Sequence, residues 1–333
     1  VFTAILAFMV ITPLVPLLAA EVNVYSTRQP FLIEPIFDAF SKETGIAVNM
    51  VYMKQGLIER LRAEGRNSPA DIILTVDVGR LTDAKAAGVT QRVDESLFSN
   101  VIPPQYRDDD GHWFGLTTRA RVIYASKDRV TPSQVRDYAN LADPKWRGRL
   151  CTRSGHHEYQ VGLLSGLIAH LGVDQARKWL TGVKANLARK PQGNDRAQVR
   201  AIKEGQCDIS LGNSYYFGKM LQEPEQVEWA NAVNIIFPDQ GGHGTHVNLS
   251  GMAMTVSAPN RDAAVQLMHF LVGPVAQRLY AEGNFEYPVR ADVKWSDLLK
   301  TMGDFTADTI DLSIVAGNRA TAIRLVNEVD YDG

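Results

Sequence analysis

The sequence is short of cysteine, of net charge and of long apolar runs, and each shortage removes a class of function. Only two cysteines, Cys151 and Cys207, occur in 333 residues, too few for a disulfide-dense small scaffold or a four-cysteine metal centre. Each sits at the edge of a short apolar run (GRLCTR and CDISLG) that reads as a strand. That leaves open a disulfide between neighbouring strands or two thiols packed as small hydrophobes. Lys and Arg number 35 against 37 Asp and Glu, for a formal charge of −2. A nucleic-acid binder carries a basic surplus, so that class is set aside. Signatures of catalysis are missing as well. There is no nucleophile-elbow motif, Ser214 has no evident base, and no acid–base pair converges, so the chain reads as a binder and not an enzyme. Residues 241–244 are glycine-rich but lack the Lys-Ser/Thr of a phosphate loop, and Asp108-Asp109-Asp110 lacks EF-hand spacing.

One long apolar run is present. Residues 1–20 (VFTAILAFMVITPLVPLLAA) hold no charge and end on small residues before Glu21. This reads as the core and cleavage region of a secretory signal peptide, with the usual start Met and basic stretch missing ahead of it. A membrane anchor is the alternative, but Pro13, Pro16 and the Ala-Ala-Glu junction favour cleavage. The mature protein is therefore expected to be exported and soluble, and a monomer is expected. Its composition, 45% apolar and 22% charged, is that of an ordinary globular chain long enough for two domains.

From Glu21 onward, strand and helix patterns alternate. Strands are expected at residues 22–25, 46–52 and 71–76, with helices opening at Pro30, Leu57 and Val78 between and after them. The extended run FGLTTRARVIYAS (residues 114–126) leads into a second series. There, strands at 149–152, 208–211 and 233–237 are set among helices at 157–171, 173–184 and 195–204. A second extended run, VNLSGMAMTVS (residues 247–257), leads to a helical tail. Two α/β units joined by two long extended segments predict a two-lobed, hinged α/β protein with its ligand cleft between the lobes. The first lobe is expected to take residues 21–118 and the second 119–245. Residues 246–333 return to the first lobe and end in helices packing across both.

The residues with most chemical content are tyrosines. Tyr215 and Tyr216, in GNSYYFGKM, follow one strand at the point where a helix begins. An adjacent pair cannot face one core from a regular element, so at least one must point to the cleft. Tyr159, in SGHHEY, follows another strand and opens a helix in the same way. Three phenols delivered to one edge suggest a hard trivalent cation, because phenolate is an anionic oxygen donor and such ions prefer it to sulfur or imidazole. A phenol titrates near 10, so binding must displace its protons. A Tyr-Tyr pair alone, however, is more often packing or a sugar-stacking surface. The histidines offer less: His156-His157 reads as a solvated helix start, and His243 with His246 as loop residues rather than a zinc site.

Across nearly the whole mature chain, the phrases VNVYSTR, SPADIILTVD, FGLTTRARVIYAS, LADPKWRGRLC, GNSYYFGKM, GTHVNLSG and LYAEGNFEYPV resemble one family. That family is the periplasmic ferric-iron-binding proteins of bacterial ABC-type iron importers. The resemblance implies a type II periplasmic-binding-protein fold and ferric iron held by Tyr159, Tyr215 and Tyr216. It also implies delivery to a membrane permease and its ATPase. One departure matters. Where many relatives carry a His-Tyr pair after the first strand, this chain has Gln29-Pro30, neither of which can supply those ligands. The resemblance then implies carbonate or bicarbonate, or water, to complete the metal shell. Thr27 and Arg28 at the first helix start, and Arg119 on the extended run, are the expected anion contacts. Arg121 is open between a hinge salt bridge and the cleft. The competing reading keeps the binding class but exchanges iron for an organic anion or a polyamine.

Overall fold

A computed structural model describes residues 20–333; the signal-peptide expectation falls on residues 1–20 and so lies almost wholly outside them. Strands are β1 (Glu21–Ser26), β2 (Ala47–Tyr52), β3 (Ile72–Thr75), β4 (Phe114–Ser126), β5 (Leu150–Cys151), β6 (Ile209–Asn213), β7 (Val233–Ile236), β8 (Val247–Met254) and β9 (Tyr287–Pro288). The hydrogen-bonded order is β2-β1-β3-β8-β4-β6-β5, with β7 and β9 also pairing with β4. β1 lies parallel between β2 and β3, as short βαβ crossovers require. β5 and β6 are likewise parallel.

β4 joins two sheet halves. Residues 114–120 pair antiparallel with β8, and residues 121–126 pair antiparallel with β6 and β7. The sheet is therefore mixed rather than wholly parallel, because the two connecting strands run against those of each half. All thirteen residues of β4 are buried.

Alternation along the strands gives each half two apolar faces. In the first half Val22, Val24, Ile72, Leu74 and Met252 pack with Ile33, Phe37 and Phe40 of helix Pro30–Thr44. On the opposite face Tyr25, Ile73 and Ala253 pack with Leu57, Leu61 and Leu81. In the second half Ile123, Leu150 and Leu211 face Leu163, Leu164 and Trp179, while Val122, Tyr124 and Cys151 face Val199, Ile202 and Met220. These are two lobes with separate cores. The C-terminal helices connect them, since Leu312 and Val315 pack in the first lobe and Ala322, Leu325 and Val326 in the second. Helix Pro30–Thr44 begins where expected, with Pro at its first turn, and ends at Gly45, whose φ of 75° is the left-handed cap that glycine adopts without strain. Among the described residues no helix is long and apolar enough to cross a membrane.

Cys151 and Cys207 are joined as a disulfide with Cα atoms 5.9 Å apart, which settles the pairing the sequence left open. Cys151 ends β5 and Cys207 immediately precedes β6, so the bond ties these two parallel strands together.

Candidate metal centre

The two strands tied by the disulfide each deliver tyrosine at their C-terminal ends. After β5, residues 152–157 turn into helix Glu158–Leu171 and place Tyr159 in its first turn. After β6, helix Tyr215–Gln222 starts at the tyrosine pair, so both Tyr215 and Tyr216 belong to its first turn. The hydroxyls of Tyr159 and Tyr215 are 3.3 Å apart. The rings of Tyr215 and Tyr216 lie 4.2 Å apart. The three phenols expected from the sequence thus meet at one point. Burial holds all three above the ordinary phenol range, and their mutual repulsion adds to this for Tyr159 and Tyr215.

Buried guanidinium groups surround the phenols. Arg119 lies 5.9 Å from the Tyr159 ring and Arg153 lies 5.1 Å from it. Arg153 and Arg121 share Asp195, at 3.0 and 2.7 Å, and the Asp195 carboxylate also accepts from the Asn213 backbone N–H. Burial pushes the Asp195 carboxyl up, but the two cations outweigh it and hold it below the usual range. Arg121, open between two roles, is therefore committed to an ion pair. Arg28 is committed likewise. It bonds Glu286 at 2.5 Å and Ser250 at 2.7 Å, and it stacks over Tyr280.

Arg119 differs from these three. Its Nη1 donates to Ser250 at 2.9 Å, yet Nε and Nη2 are buried without a partner, and the side chain is 2% exposed. No ion pair of Arg119 occurs among the described residues. The Thr27 hydroxyl is also buried and unpartnered, while the Thr27 backbone N–H is spent on Leu74. Gln29 is exposed, at the N-cap of helix Pro30–Thr44. An unpaired buried cation is costly unless something negative comes to meet it, so the free edge of Arg119 is a ready seat for an oxyanion.

Sequence reasoning missed Asp195, Arg153, Ser250 and Glu286. Nothing in their local patterns marks them, because each acts through a partner remote in sequence. Of the histidines read as a solvated helix start and as loop residues, His156 and His243 are exposed, whereas His157 packs against the Tyr159 ring and His246 is buried. His156 is exposed and bonded to Asp332 and Asn327. His157 caps the Tyr159 helix by accepting from its backbone N–H, and burial pushes its imidazole down to about 3. His243 stacks on His170, and His246 packs against Gly166. Among the described residues no cluster of three His, Cys, Asp or Glu could hold a metal ion.

The loop bearing Tyr159 is braced from far along the chain. Tyr331 bonds Thr152 at 2.9 Å, and Asp332 accepts from the Ser154 hydroxyl and the Gly155 N–H at 2.5 and 2.7 Å.

Residues 67–302 match the model of a family described as bacterial extracellular solute-binding proteins. Iron uptake protein A1 of Synechocystis is 41% identical over 314 residues, covering 93% of this chain and 87% of that protein. Among solved structures, the apo ferric ion-binding protein A of Pasteurella haemolytica superposes with a TM-score of 0.89 at 50% identity, over 95% of this chain and 99% of that one. The Trichodesmium protein IdiA (FutA), in complex with iron and citrate ligands, gives 0.90 at 40% identity, over 94% and 100%. The two-lobed solute-binding fold expected from the sequence is thus the fold of these neighbours. The chain belongs to the bacterial extracellular solute-binding proteins, alongside relatives named for iron uptake and ferric-ion binding.

Proposed function

We propose that this protein captures ferric iron in the cleft between its lobes and delivers it, in the periplasm, to the permease and ATPase of an ABC-type importer. The observation that carries this reading is the convergence of Tyr159, Tyr215 and Tyr216, with the first two hydroxyls 3.3 Å apart. Ionised, three phenolates cancel the charge of a ferric ion, and hard anionic oxygen suits it better than the nearby imidazoles. The names of the relatives support the same cargo.

Charge also argues for a companion anion. Arg28, Arg121 and Arg153 share two carboxylates, Glu286 and Asp195, while Arg119 has none. With iron neutralised by three phenolates, two positive charges remain among these side chains, and Arg196 beside Tyr216 adds a further cation. A carbonate or bicarbonate placed on the Nε and Nη2 edge of Arg119 would offset them and fill metal positions that Gln29 and Pro30 leave empty. Thr27 adds a hydroxyl to the same seat. Arg28 contributes its charge more than its donors, since both amino groups are engaged. Lobe boundaries near residues 118 and 245 fit this picture, because residue 118 lies within β4 and residue 245 lies just before β8, the two strands that join the sheet halves.

Mixing the apoprotein with ferric citrate tests the proposal. The expected result is an orange-to-red tyrosinate charge-transfer band at one iron per chain; a colourless product without bound iron rejects it. The rival organic-anion reading predicts tight calorimetric binding of such a compound without metal. A polyamine is disfavoured by the surrounding arginines.

A further inference from the structure

Two charged side chains meet across the lobes beside Tyr159. Arg80 stands in the first turn of helix Val78–Ala86, whose Val78, Leu81 and Ala84 belong to a first-lobe core. Glu158 opens helix Glu158–Leu171, whose Leu163 and Leu164 belong to a second-lobe core. The Arg80 Nη2 and Nε donate to one Glu158 carboxylate oxygen at 2.7 and 3.2 Å, and Nη1 donates to the Lys54 carbonyl at 3.3 Å. The pair is partly shielded, with side chains 28% and 19% exposed. Helix stability does not account for Arg80, because a cation in a first turn opposes the helix dipole. The pairing with the opposite lobe does.

We infer that Arg80 and Glu158 form a clasp that holds the lobes closed over the cargo and sets the rate at which it is released. Glu158 precedes Tyr159 directly, so the clasp fixes the first turn of the helix that carries that phenol. Opening the lobes separates Arg80 from Glu158 and frees this turn, which couples the opening to the loosening of one oxygen donor. The inference rests on the proposed reading of Tyr159 as an iron donor.

The test uses Arg80→Gln, Glu158→Gln and the double variant, with Arg119 and the tyrosines untouched. Iron loss to excess chelator is followed through decay of the charge-transfer band, and compactness through small-angle X-ray scattering. Each single change is expected to speed release about five-fold, as suits a partly exposed ion pair. The double variant should be no faster than either single. High salt should accelerate the wild type and leave the variants unchanged. Additive effects, or rates equal to wild type, overturn the clasp. If the wild type takes up no iron, the functional proposal fails on its own, and scattering still decides the clasp: variants more expanded than wild type uphold it, and equal dimensions sink it.

Discussion

The hydroxyls of Tyr159 and Tyr215 approach to 3.3 Å across 56 residues of chain, and the disulfide Cys151–Cys207 spans the same 56. Each tyrosine follows its cysteine by eight residues, and the strands at which the cysteines stand are parallel, with Cys151 opposite Ser210. The covalent bond thus joins the two chain segments that carry these phenols.

Replacing Cys151 and Cys207 by Ala should therefore act on stability and on binding together. A loop of this length implies a loss of about 2–4 kcal/mol in thermal or urea unfolding. Iron affinity should fall with it, seen as a rightward shift in a charge-transfer titration. Loss of stability with unchanged affinity would show that the sheet alone fixes the spacing.

Tyr216→Phe and Tyr215→Phe keep ring packing and remove one oxygen donor each. Each should weaken and shift the visible band and lower iron affinity more than about 100-fold, beyond the usual effect of losing a residue that merely orients a ligand. Thermal stability should barely change. An unaltered band in either variant would remove that residue from the donor set.

Arg119→Gln separates anion binding from folding. Two of the Arg119 nitrogens are buried without partners, so removing the cation should cost little stability. The increase of iron affinity with added bicarbonate should disappear, however, as read in titrations with and without it. By contrast, Asp195→Asn leaves Arg121 and Arg153 uncompensated in the interior and should cost about 3–5 kcal/mol in urea unfolding.

Acid should act in two separable ways. Burial holds the three phenols protonated in the metal-free protein, so loading iron releases protons and affinity should rise with pH. Proton release on loading, measured with an indicator dye, checks this. His246 governs stability: burial in its pocket pushes it down to about 4, with nearby Asp308 opposing that fall and Arg121 and His170 adding to it. A folded value below the unfolded one gives stability that is present above pH 6.5 and lost as pH falls toward 4. For this one residue that amounts to about 3 kcal/mol, and His246→Asn should make the fall of thermal stability across the window shallower, leaving the part that the buried His157 contributes.

Most of the fold could be read in advance, because period and punctuation agree. Pro30 and Gly45 bracket one helix, and the strands around Ile72 and Ile209 are apolar runs bounded by polar turns. The three tyrosines were legible for a related reason: each stands just after a strand, where an α/β fold places ligands. Their electrostatic surroundings were not. Asp195 reads as an ordinary helix-opening acid until Arg121 and Arg153 converge on it, and Arg80 reads as a surface cation until Glu158 arrives from the other lobe. Such pairings depend on tertiary approach, which local patterns do not encode. The mixed direction of the sheet was not legible either, since β4 and β8 carry the same apolar signature whichever way they run.

The brace from Tyr331 and Asp332 onto the loop before Tyr159 has a consequence for biogenesis. Ser154 and its partner Asp332 are 178 positions apart. A chain that emerges N-terminus first therefore presents its tyrosines long before the contacts that seat one of them exist. The pocket is completed only by nearly the last of the described residues, so a nascent or C-terminally shortened chain carries the phenols without their geometry.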